Sequence, residues 1–187
     1  MKEIYLIRHT TPKVEKGICY GQTDLDVADT FISEAERIKN IIPFYFDRIY
    51  SSPLKRCYKL GKFLQNENHI ILQKLLEINF GDWEMKSYSE LTNGEFMDWC
   101  TDFINKTPPN GESYKQMYER VKKGWENILN LNESKIAIVA HSGVIRIIFS
   151  IILGIDLKNS FRIEQNYGAV NKINVNNQLI TIEYTNR

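Results

Sequence analysis

The sequence predicts an α/β fold with a mostly parallel central sheet and an antiparallel edge. Three observations carry this expectation. Ile4-Tyr5-Leu6-Ile7 and Ile136 to Ala140 are short apolar runs without alternation, the habit of strands buried on both faces of a parallel sheet. Each run leads to a histidine, His9 (preceded by Arg8) and His141. The closing runs Ala169 to Val175 and Leu179 to Tyr184 are parted by Asn176-Asn177-Gln178 and suggest an antiparallel hairpin at the sheet edge. In parallel sheets ligands bind beyond the carboxyl ends of the strands, which makes Arg8 and His9 the first candidates for a reaction centre.

The elements between follow in order. Pro12 keeps Thr11 out of helical geometry, so the chain leaves the first strand into a loop that runs to Asp29. Phe31, Ala35, Ile38 and Ile42 have helical spacing, which predicts a helix over Thr30 to Ile42, with Pro43 beyond its end. Arg48 to Ser51 is a short strand. Ser52 suits an N-cap and Pro53 the first helical position, so a helix is expected there with Leu54, Cys57, Tyr58, Gly61 and Leu64 facing the core. Arg56 lies in its first turn, where free N–H groups and the positive dipole end favour an anion. Ile70 to Leu72 reads as a third strand. Leu75 to Tyr88 reads as a loop and Ser89 to Phe103 as weakly helical. Ser113 with Gln116 makes a capping box for a long helix to about Leu131, with Tyr114, Met117, Val121, Trp125 and Ile128 as its stripe. The apolar helix Val144 to Leu153 follows His141-Ser142-Gly143.

The 187 residues are read as a single domain spanning 1–187, large enough for a real core. A net charge of +1 gives no overall basic field for nucleic acid or an anionic membrane. The longest apolar stretch, Val144 to Ile155, is far short of a bilayer span and carries Arg146. No signal peptide is visible. The three cysteines, Cys19, Cys57 and Cys100, make no C-x-x-C pair, so neither a disulfide framework nor a zinc knuckle is expected, and the setting is a reducing cytoplasm. No metal-ligand spacing or cofactor motif is found.

Two strand ends that bring His9 and His141 together beside Arg8 and Arg56 would create a cationic cluster with two imidazoles. Arginine forks match phosphate oxygens, and a transferring phosphoryl group needs charge stabilisation at its equatorial oxygens. A neutral imidazole can attack in line and form a phosphohistidine. The leaving alkoxide then needs a proton donor, and Glu77, Asp82 and Glu84 are candidates. A carboxyl in that role must be protonated for the first step, so burial or a bound dianion is expected to raise its pKa. His69 stands outside this pattern and reads as a surface residue. Trp83, Trp99 and Trp125 read as core or pocket-wall aromatics.

Arg8-His9-Thr10, Ser52-Pro53-Leu54-Lys55-Arg56, Leu76-Glu77 through Trp83-Glu84, and His141-Ser142-Gly143-Val144-Ile145-Arg146 together resemble the ordered signature of the histidine phosphatase (phosphoglycerate mutase-like) superfamily, from Ile4 to about Gly168. The resemblance implies a three-layer α/β/α sandwich of phosphoglycerate mutase type and a metal-independent phosphomonoesterase. It makes His9 the phosphorylated nucleophile, Arg8, Arg56 and His141 the phosphate pocket, and Glu77 the general acid and then base, leaving Asp82 and Glu84 to support. Gly17 to Asp24, and Trp99 to Asp102 with Pro108 to Ser113, resemble the α-ribazole phosphatase group, which removes the 5′-phosphate of α-ribazole phosphate in cobalamin nucleotide-loop assembly. On that likeness Tyr20, Gly21, Gln22 and Ser142 join the substrate-binding set, with a small phosphate monoester as the partner. The absence of any arginine between Glu77 and Ser113 argues against a bisphosphoglycerate-using mutase. Thr10 stands where the family commonly has Gly, Glu15 where mutases have Asn, and Met85 where Gly usually follows Trp-Glu. Rival readings are another small-molecule phosphatase on the same scaffold, a phosphate-binding module without turnover, and a metallohydrolase using His9 and His141.

Overall fold

The computed structural model describes residues 1–92, 94–177 and 179–187. Six strands form one sheet in the order β3-β2-β4-β1-β5-β6: β1 (Lys2–Arg8), β2 (Arg48–Ser51), β3 (His69–Ile71), β4 (Lys135–Ala140), β5 (Val170–Asn176) and β6 (Leu179–Tyr184). β1, β4, β2 and β3 are parallel, while β5 runs antiparallel to β1 and β6 antiparallel to β5. The hairpin therefore sits at the edge, as its composition predicts. Of its turn residues, Gln178 lies outside the described residues.

Alternation along β1 divides the core. Ile4 and Leu6 face the long helices α4 (Tyr114–Leu129) and α5 (Ser142–Leu153). Tyr5 and Ile7 face α1 (Phe31–Lys39) and α2 (Lys55–Leu64). Both faces are covered, which gives the three-layer α/β/α sandwich and explains why β1 and β4 carry no polar alternation. The Ser113 capping box forms as expected, and the Tyr114, Met117, Val121, Trp125 and Ile128 stripe is buried. Gly154 ends α5 in the left-handed conformation, φ 63°.

Several boundaries differ from the sequence reading. The helix expected at Ser52-Pro53 starts later, at Lys55, with Leu54 in the cap position. Ser52 stands two residues before that cap; its hydroxyl accepts from Leu54 N at 3.4 Å and bonds His141 Nε2 at 2.8 Å. The Leu75–Tyr88 loop is flanked and interrupted by short 3-10 turns, Gln73–Leu75 and Gly81–Trp83. The helix expected over Ser89–Phe103 contracts to α3 (Gly94–Thr101), and its expected span includes Asn93, outside the described residues. β3 starts one residue early, at His69. That histidine is half-buried rather than a surface residue: its Nε2 bonds Ser51 Oγ at 2.7 Å and its ring stacks on Tyr58. Among the described residues no helix is long and apolar enough to cross a membrane.

Candidate active site

Parallel pairing of β1 with β4 assembles the site. Arg8 is in register with Ala140, so the next residues, His9 and His141, leave neighbouring strands at the same rim. Their rings meet edge to face with centroids 5.1 Å apart. β2, on the other side of β4, ends at Ser51 and leads into α2, whose second residue is Arg56. Its guanidinium is fully buried and donates to the carbonyls of Thr23 (2.9 Å) and Gly21 (2.6 Å), with Nε 3.3 Å from His9 Nε2. Arg8 donates to the Gln165 carbonyl at 2.5 Å and keeps a buried Nε without a partner. Among the described residues neither arginine pairs with a carboxylate. Two positive charges thus stand unneutralised beside a buried imidazole.

The His9 tautomer follows from its partners. Nδ1 lies 2.7 Å from the Thr10 carbonyl, which can only accept, so Nδ1 carries the proton and Nε2 the lone pair. Burial, then the charges of Arg56 and Arg8, holds the imidazole well below its ordinary pKa, against the opposing effect of the Thr10 bond. The ring is therefore neutral near pH 7, and its Nε2 lone pair accepts from Arg56 Nε at 3.3 Å. His141 is also held well below its ordinary value, by burial and then by Arg56. Its ring packs behind His9 against Ser52 and the Cys57 thiol, the latter 3.5 Å from Nε2. Burial pushes the Cys57 thiol up to about 12, so it sits there as a neutral packing group.

Glu77 enters from the loop before the Gly81–Trp83 turn. It is nearly buried; Oε1 accepts from Ile78 N at 3.0 Å and Oε2 from Gly143 N, in the first turn of α5, at 3.1 Å. Arg120 of α4 donates to the Glu77 carbonyl (3.3 Å) and the Leu76 carbonyl (2.8 Å), and is itself paired with Glu112 at 2.5 Å. Glu84 points elsewhere, accepting from the backbone N–H groups of Gln22 (2.7 Å) and Thr23 (2.5 Å). Asp82 accepts from Asn110 at 3.0 Å. Of the three candidate carboxylates only Glu77 lines the cleft.

A cavity of about 500 Å³ opens over this cluster, with Arg8, His9, Arg56, Glu77, Ser142 and Tyr20 on its wall. His141 lies behind that wall. Gly21 and Gln22 are also off it: the Gly21 carbonyl is drawn to Arg56, and Gln22 turns its amide to the Glu77 carbonyl at 3.0 Å. The wall includes Glu15, singled out in the sequence where mutases have Asn, and residues that the sequence reading missed, Tyr167, Tyr88 and Lys16. Tyr167 reaches the wall because β5, the antiparallel partner of β1, begins where β1 ends. Among the described residues no group of three or more His, Cys, Asp or Glu could hold a metal ion.

A model of the histidine phosphatase superfamily (branch 1) matches residues 4–187. A Hydrogenobacter thermophilus protein provisionally named phosphoserine phosphatase 2 is 27% identical over 195 residues, covering 100% of this chain and 96% of its own. The adenosylcobalamin/α-ribazole phosphatase of Salmonella typhimurium is 27% identical over 173 residues, covering 87% of this chain and 86% of its own. Among solved structures, the α-ribazole phosphatase of Shigella flexneri superposes with a TM-score of 0.92 at 23% identity, over 99% of this chain and 96% of the other.

Proposed function

Because the chain belongs to the histidine phosphatase superfamily, we propose that it is a metal-independent phosphomonoesterase working through a phosphohistidine at His9, with α-ribazole 5′-phosphate as substrate. The carrying observation is the neutral His9 with its Nε2 lone pair turned to Arg56, in a cleft whose two arginines have no carboxylate partner.

In the first step His9 Nε2 attacks phosphorus in line, the ester P–O bond breaks, and Glu77 gives a proton to the leaving oxygen. In the second, Glu77 takes a proton from water, the water oxygen attacks phosphorus, and the P–N bond breaks to release phosphate and neutral His9. Arg8 and Arg56 hold the non-bridging oxygens throughout, with His141 beside them, and their charge matters most where the phosphoryl group is in transit. Arg120 and Glu112 hold the Glu77 loop in place. Tyr20, Tyr88 and Tyr167, with Val14 and Ile18, give the cavity an aromatic and apolar wall suited to a planar leaving group.

A second reading has its own support. Glu15 and Lys16 line the same cavity, and a carboxylate beside an ammonium could receive the zwitterionic end of phosphoserine. The test is phosphate release from α-ribazole 5′-phosphate, phosphoserine, sugar phosphates and nucleotides with EDTA present. A kcat/KM preference for α-ribazole phosphate of a hundredfold or more, about 2.7 kcal/mol, supports the specific reading. A preference for phosphoserine overturns it in favour of the second, and a flat panel reduces it to a general phosphatase. A His9→Ala variant with undiminished turnover overturns the phosphohistidine chemistry itself.

A further inference from the structure

Two tyrosines meet over the anion site from distant parts of the chain. Tyr20 comes from the long loop after β1, and Tyr167 from the segment that leads into β5. Their hydroxyls are 2.5 Å apart. The Tyr167 ring lies face-on to Arg8, with the guanidinium carbon 4.0 Å from its centroid, and 5.6 Å from the His9 ring. The Tyr20 ring lies 5.5 Å from the Arg56 guanidinium carbon. Each tyrosine covers one of the two arginines that lack a carboxylate.

Both are held from behind. Gly168 N donates to the His9 carbonyl at 3.0 Å, which fixes the Tyr167 segment to the nucleophile's own backbone. Residues 17–19 are tied to 85–88 by Cys19 N to Lys86 O (2.9 Å), Met85 N to Cys19 O (2.8 Å) and Tyr88 N to Gly17 O (2.8 Å). The tyrosines therefore join two anchored segments across the mouth of the site.

An arginine held by one carbonyl bond, with a buried Nε and no counter-ion, has little to fix the plane of its fork. A ring face supplies what is missing: it attracts the cation without neutralising it and leaves the N–H edge free. A carboxylate in the same place would fix the plane but compete with phosphate. We propose that Tyr167 is a positioning residue that aligns the Arg8 guanidinium for the phosphoryl group, and that the Tyr20 hydroxyl locks Tyr167 in that pose. The inference rests on the phosphoryl-transfer reading of the site.

The test is a set of variants assayed with p-nitrophenyl phosphate, and with inorganic phosphate as competitive inhibitor. Tyr167→Met, which keeps bulk but removes the ring, is expected to lower kcat/KM and weaken phosphate by 10- to 30-fold, or about 1.4–2 kcal/mol at 1.36 kcal/mol per decade. Tyr167→Phe and Tyr20→Phe are each expected to lose less than about threefold, and the double variant no more than either alone, because one bond is broken in all three. In an Arg8→Ala background Tyr167→Met should cost nothing further. An undiminished penalty in that background, or wild-type kinetics for Tyr167→Met, overturns the proposal. Should Tyr167→Met fail to fold, Tyr167→His decides: its neutral ring stacks on Arg8 and its imidazolium repels it, so phosphate affinity should fall on the acid side more steeply than in wild type, and an unchanged profile overturns the proposal. Persistent turnover in His9→Ala would instead strike the underlying chemistry, which separates the two failures.

Discussion

Gly143 offers a way to move the Glu77 carboxylate without changing Glu77. A Cβ added at Gly143 would lie 2.3 Å from Glu77 Oε1 and 3.1 Å from the Met117 methyl. The carboxylate is the free end of a flexible side chain, so in Gly143→Ala it yields rather than the backbone, by about 1 Å to regain ordinary contact. It then loses its bond from Gly143 N. Losing one charge-assisted hydrogen bond costs about 1.5–3 kcal/mol, and replacing Gly by Ala in a helix returns up to about 1 kcal/mol. The net is a loss of about 0.5–3 kcal/mol, and Tm falls by a few degrees. The kinetic effect should be far larger, since a displacement of about 1 Å in a reacting group costs on the order of 100-fold, within the range general acid catalysis supplies. Single-turnover phosphoryl transfer from an alkyl phosphate should fall about 100-fold. Transfer from p-nitrophenyl phosphate, whose phenolate leaves without a proton, should fall less than about tenfold. A folded Gly143→Ala protein that cleaves the alkyl ester at the wild-type rate would refute Glu77 as the proton donor held by α5.

Arg56→Lys keeps the charge but not the fork that spans Gly21 O, Thr23 O and His9 Nε2, and kcat/KM should fall by about 100-fold with inorganic phosphate inhibition weakened alongside; a loss below about threefold would mean that charge alone suffices. His9 and His141 are both held well below the ordinary value of 6.5, so the unfolded chain binds protons there that the folded chain refuses. Their contribution is present in full above pH 6.5 and is lost as pH falls, by about 1 kcal/mol for each histidine between pH 6.5 and 5.5. Urea midpoints should therefore drop more steeply with acid in wild type than in His9→Gln, and equal slopes would refute the buried neutral imidazole. Met85 has φ 65° and is half exposed, so Met85→Gly should raise stability by about 1 kcal/mol in urea unfolding, and a decrease would show that the left-handed backbone there carries no strain.

What was legible in the sequence is what local pattern controls. Uninterrupted apolar runs specify strands covered on both faces, and the chain order then leaves His9 and His141 at one rim. Arg56 was legible because a helix start after a strand fixes where its first turn points. What escaped was set by long-range polar contacts. Ser52 reads as a cap from its neighbours, but the helix starts at Lys55, and the Ser52 hydroxyl also bonds His141, which follows β4. Gln22 reads as a pocket residue, but Glu84 grips its backbone N–H and turns the side chain toward Glu77. Tyr167 carries no local signature, because its partner Arg8 is supplied only when β5 pairs with β1. The departure at Met85 was visible as a residue choice, and its meaning became plain only with the positive φ.

The polar contacts that escaped the sequence reading also account for how the site keeps its charge. A buried guanidinium is costly to leave unsatisfied, and most folds answer with a carboxylate. Here Arg56 is satisfied by carbonyls of the Gly21–Thr23 loop, which accept its N–H groups without cancelling its charge. Glu84 braces that loop from its other side by binding the N–H groups of Gln22 and Thr23. The negative charge that could have paired with Arg56 thus acts at one remove, holding the loop whose carbonyls hold the arginine. Arg120 and Glu112 do the same for Glu77, bracing the backbone of its loop and leaving its carboxylate in the cleft. Arg56 and Glu77 are thus held by neutral backbone atoms, and the Arg120–Glu112 ion pair and the Glu84 carboxylate act from the layer behind them. Such an arrangement leaves the positive charge of Arg8 and Arg56 uncancelled in the cleft, and that charge, with burial, keeps both histidines neutral.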